Sequence, residues 1–111
     1  MEEMVTNRGW RYLHVLQPNQ YYGGRAFSDD ESRTALSEAS PYRTSVERGY
    51  PVLIAAARSA LIGRMQFLDA SHVFDHEAAP MYIDNCCHYT LAGNRVLADA
   101  IANAVLRGAD R

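Results

Sequence analysis

Apolar positions in this chain gather in short clusters, separated by polar and turn-forming residues. Arg11-Tyr-Leu-His-Val-Leu16 sets aromatic and aliphatic residues in one short run before Gln17-Pro18-Asn19. That pattern predicts a strand running into a loop. The loop continues through Gln20-Tyr21-Tyr22-Gly23-Gly24, where the paired glycines permit a reversal. Ser28-Asp-Asp-Glu31 fits the S-x-x-E capping box and predicts a short helix ending near Ala39. Ser40-Pro41 then supplies a cap and a first helical residue. Beyond it Val46, Tyr50, Leu53, Ile54, Ala57 and Leu61 recur at steps of three and four, the spacing of an amphipathic helix. Gly49-Tyr50-Pro51 interrupts that stripe and predicts a kink or two abutting helices. Gly63 closes the segment.

Met65-Gln-Phe-Leu68 predicts a second strand, followed by Asp69-Ala-Ser71. Residues 72–80 read as a loop or a single helical turn stopped by Pro80. Thr90 caps a final helix with Leu97, Ala100, Ile101, Ala104 and Val105 on its inner face and Arg95 and Asp99 one turn apart outside. Gly108 ends it. Strand, helices, strand, helix is α/β order with parallel strands. A parallel sheet wants helices on both faces and further strands beside it, so two strands read as the end of a larger sheet.

Composition narrows the function classes. At 111 residues the chain is one domain or part of one, and its 48% hydrophobic and 22% charged residues are ordinary for a globular protein. A formal net charge of −2 gives no field to attract nucleic acid or an anionic membrane. All eleven basic residues are arginine, spread along the chain rather than grouped, which reads as codon bias of a GC-rich genome. No apolar run approaches the roughly 20 residues of a membrane span. Residues 1–10 hold no apolar signal core; a signal on preceding sequence would leave localisation open. Cys86 and Cys87 are neighbours, and a bridge between neighbours closes a strained ring, so two reduced thiols are expected.

Candidate chemistry concentrates in Tyr82-Ile-Asp84-Asn-Cys86-Cys87-His88-Tyr89-Thr90. A carboxylate beside a histidine holds the ring in place and stabilises the imidazolium, making a general base near neutral pH. Placed after a strand and before a capped helix, Asp84 and His88 sit at the carboxyl edge of the sheet, where open α/β folds bind ligands. The 17–22 loop leaves the first strand at that edge, so Asn19, Gln20, Tyr21 and Tyr22, together with Tyr89, are candidates for touching a substrate. A metal site would draw on His72, His76, Asp75, Cys86, Cys87 and His88. Adjacent cysteines do not readily share one tetrahedral ion and no C-x-x-C spacing exists, so no metal is expected, and nothing else in the chain implies an organic cofactor. His14 reads as a core or sheet-face histidine, Trp10 as an anchor of the core rim, and Asp29-Asp30-Glu31 as helix capping rather than a calcium loop.

Tyr82-Ile-Asp84-x-Cys-Cys-His88-Tyr-Thr90-x-x-Gly93-Asn94-x-x-x-Ala98 resembles the last block of SGNH/GDSL hydrolases, where an Asp and a His precede a Gly-Asn pair and the closing helix. Tyr12-Leu-His-Val-Leu-Gln-Pro18-Asn19, Gly49-Tyr50-Pro51 and Phe67-Leu-Asp69 resemble the late strands and helices of bacterial members. The resemblance spans nearly all of residues 1–111 but only the carboxyl-terminal part of the family's domain. It implies a partial flavodoxin-like three-layer fold and ester hydrolysis through a serine nucleophile, with His88 as general base and Asp84 as its orienting partner. Acylated sugars, lipids and small acyl esters all suit such a site.

The chain departs from the family pattern in two ways. None of Ser28, Ser32, Ser37, Ser40, Ser45, Ser59 and Ser71 follows Gly-Asp, so the nucleophile motif is missing. Asp84 lies four residues before His88 where three is commonest; Asn85 holds that place, and Asp75 and Asp69 stand as fallback partners. The alternative to an esterase is a truncated or interaction fragment that works without catalysis. On either reading the isolated chain is expected to be inactive or nearly so and to self-associate through exposed apolar surface.

Overall fold

The computed structural model describes residues 4, 5, 7–60 and 66–109. The expectations at Leu61, Gly63 and Met65 lie outside them. Among the described residues the chain is a mixed α/β body of two parallel strands and three helices. In order these are β1 (Leu13–Leu16), α1 (Asp29–Ala35), α2 (Arg43–Ala60), β2 (Gln66–Asp69) and α3 (Leu91–Ala109). None of these helices is long and apolar enough to cross a membrane.

The strands pair in parallel, with Leu13 opposite Gln66, His14 opposite Phe67, Val15 opposite Leu68 and Leu16 opposite Asp69. Side chains alternate along a strand, so Val15 and Leu68 share one face. That face packs on the core with Val96, Leu97 and Ile101 of α3. His14 and Phe67 share the other face, where His14 is exposed and its ring lies 5.8 Å from that of Phe67. Trp10 does not anchor the core; it is 61% exposed, under the Arg8 guanidinium.

The core sits in the connections as much as in the elements. Phe74 and Met81 are fully buried, each contributing about 1.5–3 kcal/mol of hydrophobic stabilisation. Phe74, Tyr82 and Tyr89 meet edge to face, with ring centroids 5.3–5.6 Å apart. Ala35, Ala70 and Leu97 close the cluster.

Local sequence explains most element ends. Ser28 caps α1, its hydroxyl accepting from the Glu31 amide at 3.2 Å. The helix stops at Ala35 rather than near Ala39. Leu36 is already extended, and the Ala35 carbonyl accepts from the Gln20 side chain. α2 starts at Arg43, two residues later than Ser40-Pro41 suggests. Ser40 makes a turn instead, its hydroxyl accepting from the Tyr42 amide, and the Val46 amide donates to the Tyr42 carbonyl. α2 then runs through Pro51 as one helix, so the expected division into two helices does not occur. Proline has no amide hydrogen to offer the Glu47 carbonyl one turn back. Val46, Tyr50, Ile54 and Ala57 form its inner stripe, while Leu53 turns outward and is 54% exposed.

Thr90 caps α3, accepting from the Gly93 amide at 3.1 Å. Gly93 has a packing reason to be glycine, since a Cβ there would lie 2.7 Å from the Met81 carbonyl oxygen. Val105 points away from the core, and Gly108 is buried inside the last turn, its carbonyl accepting from Arg11 at 2.8 Å.

Candidate active site

β1 and β2 end side by side, and the Ala70 amide donates to the Leu16 carbonyl at 3.0 Å just past that edge. Three connections gather there. After β1, Asn19 folds the chain back, accepting from the Tyr21 amide through its side chain and the Tyr22 amide through its carbonyl. After β2, residues 70–77 wind through successive turns. Ahead of α3, residues 81–90 form a narrow loop, closed by the Tyr82–Tyr89 bridge and by hydrogen bonds from Ile83 to His88 and from Thr90 to Met81.

Asp84 and His88 face each other across the neck of that last loop. One oxygen of Asp84 accepts from the amides of Cys86, Cys87 and His88 at 2.9, 3.1 and 3.3 Å. The other lies 2.5 Å from His88 Nδ1. This accounts for the four-residue spacing: the chain wraps three amides around the carboxylate before the ring returns to it. The His88 hydrogen bond holds the Asp84 carboxyl well below its ordinary range; partial burial opposes that shift and the three amides reinforce it. The His88 side chain is 67% exposed. With Nδ1 committed to Asp84, the outer ring nitrogen is the one able to exchange a proton with a bound molecule. Among the described residues no serine hydroxyl is hydrogen-bonded to that ring.

The fallback carboxylates are engaged elsewhere. Asp69 accepts from the Ser71 amide and hydroxyl and lies 4.0 Å from the Arg58 guanidinium. Asp75 accepts from the Gly24 amide at 2.9 Å and contacts His72 Nδ1 at 2.7 Å. His72 and Asp75, three residues apart, form a second histidine–carboxylate pair. Residues 72–76 form turns rather than a helix, and among the described residues no three metal-ligating side chains converge.

The residues expected to touch substrate divide into two kinds. Gln20 is buried and works as a staple, its amide nitrogen donating to the carbonyls of Ala35 and Asp84 while its oxygen finds no partner among the described residues. Tyr21 donates to the Asn85 carbonyl at 2.9 Å and Tyr89 to the Pro18 carbonyl at 2.7 Å. These bonds tie the 17–22 loop to the loop carrying Asp84 and His88. Tyr22 instead sets its ring against those of Tyr50 and His72. Asn19, Gln20, Tyr21 and Tyr22 line a cavity of about 300 Å³ together with Arg43 and Asp75. Asp84 and His88 do not line it; Gln20 and Tyr21 join the two.

One pair has no signal in sequence order. Arg25 donates to both oxygens of Glu31, at 3.3 and 2.6 Å, and to the carbonyls of Phe74, Glu77 and Ala79. Glu31 also accepts from the amides of Met81 and Tyr82. Its carboxylate faces the interior, so it does not complete the capping box with Ser28. The pair fastens the 74–82 connection, from which residues 83–88 project.

No family model matches this chain, and neither does any curated protein or any solved structure.

Proposed function

We propose that this chain is the carboxyl-terminal part of an SGNH/GDSL-like ester hydrolase domain of flavodoxin-like, three-layer architecture. His88 is the general base and Asp84 its orienting partner. The observation that supports this reading best is the 2.5 Å contact between Asp84 and His88 Nδ1, beside the carboxyl ends of two parallel strands. A serine hydroxyl supplied from outside these residues attacks the ester carbonyl carbon while His88 takes its proton. The imidazolium, stabilised by Asp84, then gives that proton to the leaving alcohol, and water discharges the acyl-enzyme by the same route. The neighbouring cavity of about 300 Å³, walled by Tyr21, Tyr22 and Arg43, suits the body of a small acyl, acylated-sugar or lipid ester.

The test joins the chain to whatever coding sequence precedes it in frame and assays p-nitrophenyl acetate. The expected result is hydrolysis that falls about 10²–10⁴-fold in the His88→Ala variant, with the isolated chain near background. Equal hydrolysis by the parent and His88→Ala proteins would overturn the assignment.

A second reading, a folded fragment that pairs with another polypeptide without catalysis, is favoured by exposed apolar side chains. Val52 and Leu53 on α2 and Leu91 and Leu106 on α3 are each more than half exposed. The radius of gyration, 15.5 Å, exceeds the roughly 13 Å of a compact domain of this size. A sedimentation series with a single monomeric species at all concentrations would remove pairing with a second copy of the chain.

A further inference from the structure

Cys86 and Cys87 take no part in the proton chemistry assigned to Asp84 and His88, yet they are placed for chemistry of their own. Their sulfur atoms lie 3.0 Å apart, Cys87 is exposed and Cys86 is partly so. We propose that this pair is a redox modification site, at which a low-molecular-weight disulfide oxidises the two thiols to a reversible bridge between neighbours. This inference does not rest on the hydrolase reading.

The balance of the reaction is simple. The Cys86 thiolate attacks one sulfur of the small disulfide, forming a mixed disulfide and releasing one small thiolate. Cys87 gives up its proton and attacks the Cys86 sulfur, displacing the second small thiolate. Two protein S–H bonds are lost, one protein S–S bond forms, and the small disulfide is reduced to two thiols. The order follows from the pair itself. The two sulfurs share a hydrogen bond across 3.0 Å, and that bond is the main cause holding the Cys87 thiol up to about 11, so Cys87 is the sulfur that keeps its proton until the second step. Once the mixed disulfide stands on Cys86, the Cys87 sulfur is already within contact of its target, and ring closure outruns capture of a second small molecule.

Geometry also makes the bridge reversible and gives it a consequence. Adjacent α-carbons are about 3.8 Å apart across a trans peptide, closer than the roughly 4.4–6.8 Å usual for a disulfide. Ring closure therefore turns the Cys86–Cys87 peptide, and the strain makes the bond easy to reduce. That peptide's N–H is one of the three held by Asp84. Oxidation thus removes an amide from the carboxylate that orients His88.

The test incubates the whole chain with glutathione disulfide, blocks residual thiols with iodoacetamide and reads intact and peptide masses. The expected result is loss of both alkylatable thiols, a mass lower by two hydrogens on the peptide holding Cys86 and Cys87, and recovery of both thiols with dithiothreitol. The Cys86→Ser and Cys87→Ser variants each retain one glutathionyl group on the remaining cysteine, since no neighbour can displace it. The proposal is overturned if the parent chain keeps both thiols, accumulates glutathionyl adducts, or links to a second copy through these cysteines.

Discussion

Two carboxylates in this molecule hold a basic partner and several backbone amides, and they differ in where they stand. Glu31 binds Arg25 with side-chain exposures of 1% and 6%, whereas Asp84 binds His88 with exposures of 37% and 67%. Burial turns the first pair into a fastener. Neither charge retains water, so the hydrogen bonds to Met81, Tyr82 and the 74–79 carbonyls offset the cost of desolvation, and loss of one partner strands the other. Exposure gives the second pair a different use. Its amides fix the carboxylate in the loop while the outer face of the ring stays open to a bound molecule. Similar donors and acceptors thus serve the fold in one place and a candidate reaction in the other.

Glu31→Gln is the strongest way to break this comparison. It leaves Arg25 buried without a counter-charge and is expected to cost about 3–5 kcal/mol, read as a lower urea midpoint at unchanged slope. A cost below about 1 kcal/mol would remove the contrast between the two pairs. One step out, Ser28→Ala uncaps the helix that presents Glu31 and is expected to cost about 1 kcal/mol in the same experiment. An effect as large as that of Glu31→Gln would mean that the cap, not the ion pair, sets the position of this helix.

The exposed pair should respond least in stability and most in titration. The Asp84 carboxyl titrates below its ordinary 3.8, so its hydrogen bonds favour the folded state above that pH and are lost as the pH falls towards the folded-state value. His88→Ala removes the largest cause of the shift. The Asp84 titration, followed by carboxyl carbon-13 NMR, is expected to rise towards 3.8. Stability at neutral pH should change by no more than the roughly 1 kcal/mol of an exposed pair. An unmoved Asp84 titration would assign the shift to the three amides alone.

The same contrast explains what was legible in the chain. Ser28, Thr90, both strands and the inner stripes of α2 and α3, Leu53 and Val105 apart, were readable because caps and periodicity act within a few residues. So was the meeting of Asp84 and His88, whose loop is closed by its own hydrogen bonds. Glu31 read as a capping acid because its real partners are Arg25 and the amides of Met81 and Tyr82, 50 and 51 positions further on. Nothing local separates an acid facing water from one facing the core. Gln20 and Tyr21 line the cavity as well as fastening two connections, and only the first of those uses was legible, because the carbonyls they bind lie 15 to 64 positions away. Pro51 read as a kink or a division between two helices because its penalty is local, whereas the packing of Tyr50 and Ile54 on either side of it is not.

The parallel pairing of β1 with β2 has a consequence in time. Leu16 and Gln66 lie on opposite sides of the whole α1–α2 segment, so the strands meet only after a long loop closes, at an entropic cost that the helices do not bear. Helical turns form in well under a microsecond to about a microsecond, while non-local parallel pairing belongs among the slow steps of folding. During that interval each strand has no partner, and its amides and carbonyls are open to any extended chain nearby. The order of folding therefore sets a window in which concentration, not sequence, decides which strand β1 meets first.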